Sequence, residues 1–216
     1  MRTGWPRGNW QHIRQAKPLG IRDKQLQERN QVEMYTSQME LEAGIDAIKS
    51  SPADEGIVRK IVCRPDVDER HELQEAQLDL AEGLIGDNWR RKGFYKAGDG
   101  RAHPDMQLNL MNARAIALIA RTEERWQLAG DQFYVDLDLS PNNLPPGTRL
   151  QIGEAIIEVT AEPHLGCSKF MARFGRDAAR FVNSDVGKSL NLRGINAKVV
   201  QPGKVVSGSR ISKLDA

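Results

Sequence analysis

The chain has 216 residues, 39% apolar and 28% charged, enough for one full domain with a sizeable core and a small extension. Its net charge of +2 is unevenly spread: residues 1–33 carry seven basic and three acidic side chains, and the remainder carries a slight acidic excess, which argues against nucleic acid as the main partner. Two cysteines, no secretory apolar segment and no apolar run of bilayer length exclude a disulfide scaffold and a helical membrane protein, and predict a cytoplasmic chain.

Residues 1–33 lack apolar periodicity and read as a basic, disordered leader. No serine precedes Ser37, which weakens an organellar transit peptide, and the abrupt change of charge points to Met34 as the native start. Residues 34–52 hold one amphipathic helix, from Ser37 to Lys49 with Met39, Leu41, Ile45 and Ile48 on one face, closed by Ser51-Pro52. The period then changes to two. Gly56 to Cys63, with Ile57, Arg59 and Ile61 alternating against Val58, Lys60 and Val62, and Glu72 to Leu80 are predicted strands, the second bounded by a turn at Gly83 and Gly86. Residues 92–104, with three glycines and several charges, are expected to form a mobile loop.

Gln107 to Met111 is the next strand, followed by a helix over 113–120 that Asn112 can cap. Phe133 to Leu139, Arg149 to Ile152 and Ala155 to Thr160 are strands, and a basic helix with Phe170, Phe174, Ala178 and Phe181 on its buried stripe follows residue 167. Ser189 to Leu192, Ala197 to Val200 and Lys204 to Val206 are predicted as three short strands. Many short strands, Pro/Gly turns and two or three helices predict a mainly β, α+β domain over 53–214: a closed or nearly closed β-barrel with peripheral helices.

The stretch Pro163-His164-Leu165-Gly166-Cys167-Ser168-Lys169 carries the most chemistry. It sets a cysteine in a short loop after an apolar strand and before a helix bearing Lys169, Arg173, Arg176 and Arg180, where cations and a helix N-terminus favour a thiolate. His164 could tune that thiol or accept its proton. A buried, inert cysteine is the bland alternative, and Cys63, inside a strand pattern with no surrounding cations, is read that way. Lys169 and Arg173 could equally be solvated charges on a helix face. No close His/Cys pair suggests zinc, and no Walker loop, dinucleotide fingerprint or nucleophile elbow is present.

Five segments in order, Gly83-Leu84-Ile85-Gly86-Asp87-Asn88-Trp89, Gly130-Asp131-Gln132-Phe133, Leu144-Pro145-Pro146-Gly147 through Gly153, Pro163-His164-Leu165-Gly166-Cys167 and Gly194 through Gly203, resemble the MOSC domain, the C-terminal domain of molybdenum cofactor sulfurases. The likeness covers about residues 55–213 and leaves the leader unexplained. It implies a barrel related to the pyruvate kinase barrel domain and molybdenum cofactor (molybdopterin) chemistry. Cys167 matches the family cysteine, proposed either to carry a persulfide sulfur or to ligate molybdenum. A Gly130-Asp131-Gln132 stretch stands where stand-alone bacterial members commonly show Gly-Glu-Asn, and no pyridoxal-phosphate desulfurase domain is attached, so any sulfur must come from a separate donor.

The expected site therefore has Cys167 and His164 in catalytic roles, Cys167 as metal ligand, and Lys169, Arg173, Asp87 and Asp131 contacting cofactor, with Asp87 and Trp89 on the opposite wall. The expected function is sulfur transfer or reduction of small N-oxygenated (N-hydroxylated) compounds, with a cysteine desulfurase or redox protein as partner and neither nucleic acid nor membrane. A non-catalytic barrel binding a phosphate-bearing ligand or a cofactor-handling partner is the alternative. A thiol redox sensor would need Cys63 as the resolving cysteine, which its strand setting disfavours.

Overall fold

The structure, a computed structural model, describes residues 35–93 and 100–214. The expected leader, Met34 and residues 94–99 of the glycine-bearing loop lie outside the described residues. The expected first helix forms as two pieces, α1 (Gln38–Ala43) and α2 (Ile45–Lys49), joined at Gly44. Ser37 and Glu40 form a reciprocal capping box that satisfies the first free amides of α1.

Eleven strands follow among the described residues: β1 (Gly56–Cys63), β2 (His71–Leu73), β3 (Glu75–Asp79), β4 (Gly83–Leu84), β5 (Leu108–Asn112), β6 (Phe133–Asp136), β7 (Arg149–Ile152), β8 (Ala155–Val159), β9 (Ile195–Gln201), β10 (Gly203–Val206) and β11 (Arg210–Lys213). Seven close into a barrel in the order β1-β11-β7-β8-β9-β5-β6 and back to β1, with β2 added to β1. Only the β5–β6 pair in this barrel is parallel. Strands β10, β3 and β4 make a second, three-stranded sheet. The predicted mainly β barrel with peripheral helices is the fold observed.

All seven barrel strands send apolar side chains into one cluster, including Val58, Leu110, Phe133, Val135, Ile157, Ala197 and Ile211, which identifies it as the barrel interior. A second cluster joins the outer faces of β5 and β6, through Met111 and Tyr134, to the helices. The helices that enter it are α1 and α2, through Leu41 and Ile48, and mainly α4 (Ala113–Ala120) and α5 (Ser168–Asn183); α3 (Trp89–Lys92) and α6 (Asp185–Ser189) add no side chain to it. Asn112 caps α4 as expected, its side chain accepting from the amides of Arg114 and Ala115 at 2.9 and 3.0 Å.

Three strand expectations are corrected, and one strand is added. A register shift between Val58 and Lys60 breaks the strict alternation of β1, so Val58, Ile61 and Cys63 share the interior and Ile57 is exposed. The predicted strand 72–80 divides at Gln74 into β2 and β3, which join different sheets. Ser189 to Leu192 is no strand: Ser184 caps α6 by accepting from the Gly187 amide at 3.0 Å, and Leu192 turns into the helical cluster. The closing strand β11 has a single buried apolar residue, Ile211, and was not expected.

Candidate functional site

The segment after β8 returns over one end of the barrel and places Cys167, exposed, at the N-cap of α5. The other cysteine, Cys63, is buried in β1, and burial followed by the charge of Asp87 raises its thiol pKa. Unlike the continuous basic helix expected, α5 is interrupted at Gly175, whose φ of 87° and ψ of 170° lie outside helical space. Lys169 and Arg173 therefore sit on the first arm with Cys167, and Arg176 and Arg180 on the second.

Next to the first arm, the chain around Gly130 acts as a rack for guanidinium groups. Three successive carbonyls at the end of a 3₁₀ helix, Glu123–Ala129, accept from three different arginines: Leu128 from Arg173 at 2.8 Å, Ala129 from Arg193 at 2.9 Å and Gly130 from Arg64 at 2.7 Å. Carbonyls at a helix C-terminus lack intrahelical donors and favour cations, which explains the attraction. Gly130 itself has φ of 90°, and a Cβ there would lie within 4.0 Å of both Arg70 Nη2 and Arg173 Nη1. A fourth guanidinium, that of Arg70, thus approaches this turn beside that of Arg173.

Two fully buried carboxylates fix two of these arginines. Asp87 takes Arg64 Nε and Nη2 at 2.8 and 2.9 Å and also accepts from the amides of Arg64 and Trp89. Asp131 takes Arg193 Nη1 on both oxygens, at 2.9 and 2.8 Å, and the His164 Nε2 at 2.9 Å. Burial works against the Asp131 charge, but Arg193 and then His164 outweigh it and hold the carboxyl at about 2. Burial and then Arg193 push the His164 pKa down, so the ring is neutral near pH 7.

Arg70 and Lys92 complete the cationic group. Burial lowers the pKa of each; Arg173 and Arg64 add to this at Arg70, and Arg64, Lys169 and Arg70 add to it at Lys92. Like charges crowded in this way destabilise one another unless an anion lies among them. Three buried donors here, Arg70 Nε, Trp89 Nε1 and Arg193 Nε, have no partner among the described residues.

No family model matches the chain, and no curated protein does either. Solved structures do. A hypothetical protein of known crystal structure is 23% identical, with a TM-score of 0.52 over 76% of this chain and 70% of that one. The YuaD protein from Bacillus subtilis is 16% identical, with a TM-score of 0.52 over 72% of this chain and 93% of that one. The likeness is one of fold. YiiM from Escherichia coli also aligns, at 22% identity and a TM-score of 0.48 over 74% and 70% of the two chains.

Of the residues singled out in the sequence, Cys167, Lys169 and Arg173 share the first arm of α5. His164 spends Nε2 on Asp131. Asp87 and Asp131 face arginines with their oxygens already engaged, so they hold the site's cations in place. Sequence reasoning did not find Arg64, Arg70, Lys92 or Arg193, which arrive from the residue after β1, the loop before β2, α3 and the turn before β9. Among the described residues, no three His, Cys, Asp or Glu side chains converge to hold a metal ion. A metal at Cys167 would have to bring further ligands with it.

Proposed function

We propose that this chain is a MOSC-type protein that binds molybdenum cofactor through its phosphate and presents Cys167 to the reacting end. The observation that carries this reading is the arginine rack at residues 128–130 with the unpartnered donors Arg70 Nε and Trp89 Nε1. A phosphate monoester offers several charged acceptor oxygens and matches forked guanidinium donors. Arg70, Lys92 and Lys169 hold the phosphate, while Asp87 and Asp131 act through Arg64 and Arg193, which they orient.

The cofactor supplies molybdenum redox chemistry together with sulfur ligands of its own, which suits a site where the protein offers one soft donor. Cys167, exposed at the start of α5, supplies that donor or carries sulfur. In the sulfur-carrying role, its thiolate attacks the outer sulfur of a donor persulfide: a Cys167 Sγ–S bond forms, the donor S–S bond breaks, and the donor leaves as a thiolate. A pyridoxal-phosphate cysteine desulfurase is the class of donor this requires. With molybdenum bound, the substrate class is small N-hydroxylated compounds and a redox protein supplies electrons. Both cysteines are unpaired, in keeping with a reducing, cytoplasmic setting, and no described helix is long and apolar enough to cross a membrane.

Titration with the pterin cofactor at fixed salt tests the reading. Arg70→Ala and Lys92→Ala should each weaken binding by about one to two decades, the loss of a charge-assisted contact of roughly 1.5–3 kcal/mol. Unchanged affinity in both variants would refute the phosphate site. Loss in both, with Cys167→Ser retaining every property of the parent, would favour the non-catalytic phosphate-binding barrel.

A further inference from the structure

The loop that carries Cys167 is fastened by a residue seventeen positions away from its last glycine. Asn183 accepts from the Gly166 amide with Oδ1 at 3.0 Å and donates from Nδ2 to the Gly166 carbonyl at 3.0 Å. On a straight helix the two residues would be about 25 Å apart, at 1.5 Å per residue. Their contact exists because Gly175 turns the second arm of α5 back on the first.

The reversal is built into the surroundings. Its φ of 87° belongs to glycine, and a Cβ at Gly175 would meet the Tyr35 ring at 3.0 Å. Carbonyls released by the break are satisfied from outside the helix: Ala172 accepts from Tyr35 Oη at 3.3 Å, and Arg173 accepts from Arg125 Nη2 at 2.8 Å. At the other end, a Cβ on Gly166 would meet Val182 Cγ2 at 2.8 Å, so the two segments touch through a glycine.

We propose that Asn183 is a positioning residue for Cys167, and that the Gly175 reversal exists to deliver it. This rests on the reading of Cys167 as the acting thiol. The segment before the cysteine is held at three points: Asn196 Nδ2 on the Glu162 carbonyl at 3.0 Å, Asp131 on the His164 ring, and Asn183 on Gly166. Asn183 is the last of these, one residue before the thiol. An amide that binds both N–H and C=O of one glycine fixes the two peptide planes beside it, which glycine alone leaves free. Cys167 then enters α5 in one orientation, at the start of the arm that carries Lys169 and Arg173.

The test compares alkylation of Cys167 by iodoacetate, an anion, and by iodoacetamide, which is neutral, across pH in protein without cofactor. A thiol held beside the cations favours the anionic reagent, and the ratio of the two rates reports its placement. Asn183→Ala should lower that ratio at least about fivefold, and Asn183→Gln, which keeps the amide's donor and acceptor on a longer side chain, should restore part of it. A residue that only stabilises the fold would shift the melting temperature and leave the ratio alone. A ratio in folded Asn183→Ala within about twofold of the parent overturns the proposal.

Should Asn183→Ala fail to fold, hydrogen exchange in the parent decides. The Gly166 amide should be protected at least about tenfold relative to an open chain, and exchange at the open-chain rate overturns the proposal. Neither measurement involves cofactor. If Cys167 is not the acting thiol, Cys167→Ser will show it in cofactor retention while the Asn183 effect on labelling persists.

Discussion

Replacing Asp131 by Asn removes a charge from the most deeply buried ion pair of the site. Arg193, with a side chain 7% exposed, would remain charged beside a neutral amide, with the Ala129 carbonyl for Nη2, one amide oxygen in place of two carboxylate oxygens for Nη1, and an Nε that already lacks a partner among the described residues. Removing one member of a buried pair costs about 3–5 kcal/mol, because the desolvated partner is left uncompensated. At roughly 2–4 °C per kcal/mol for a chain of this size, the melting temperature should fall by roughly 6–20 °C.

The pH profile provides an internal check. The Asp131 carboxyl titrates at about 2 in the folded protein and near 3.9 unfolded, so the folded state binds fewer protons between those values. Its contribution is fully present above about pH 4 and is lost as pH falls through about 2. His164, depressed by burial, adds in the same sense: below about pH 6.5 the unfolded chain takes up a proton that the folded chain resists. Urea unfolding of parent and Asp131→Asn from pH 7 to pH 2 should show the gap narrowing at the acid end. The double variant Asp131→Asn, Arg193→Met should recover part of the loss. A loss below about 1 kcal/mol at pH 7, or a gap that widens towards acid, would refute this account of the network.

The two cysteines should behave oppositely. Cys167→Ser, at an exposed position, should change stability by no more than about 0.5 kcal/mol while abolishing sulfur transfer or molybdenum retention. Cys63→Ser, placing a hydroxyl in the barrel interior, should cost about 1–3 kcal/mol in urea unfolding and leave cofactor content per folded chain unchanged. In anion binding, Lys169→Ala should weaken affinity and flatten its dependence on salt. Arg180→Ala, on the second arm of α5, should do neither, and equal effects would dissolve the distinction between the arms.

Most strands were legible because their apolar periods are local. β1 has the predicted ends, β5, β7 and β8 lie within one residue of the expected bounds, β6 starts at Phe133 as expected but stops at Asp136 rather than Leu139, and Asn112 caps α4 as its position before an apolar run suggested. β11 was not legible: only Ile211 of its four residues is buried, and its place is set by pairing with β1 and β7 across more than fifty residues of chain. The bulge in β1 was hidden because Val, Ile and Lys satisfy either phase of the alternation. Gly175 was present as a lone glycine within a helical stripe, a signal that favours interruption but does not give its direction.

The cysteine loop was legible from composition, since a thiol between an apolar strand and a basic helix is a local pattern. The cationic group was not. Arg64, Arg70, Lys92 and Arg193 are scattered over about 130 residues and meet because barrel closure brings the ends of β1, β6 and β9 together. Arg64 at a strand end before Pro65 was the one available hint. Asp87 and Asp131 were singled out for contact with cofactor, yet their carboxylates are spent on arginines, a pairing that only the fold can reveal.

The most direct measurement is the molybdenum, pterin and labile sulfur content of the protein purified from cells that make molybdenum cofactor. The parent should carry pterin with either molybdenum or cyanide-labile sulfur, Cys167→Ser should lose the molybdenum or the sulfur, and Arg70→Ala should lose the pterin. Parent protein free of all three, from cells whose other molybdenum enzymes are loaded, would contradict the account.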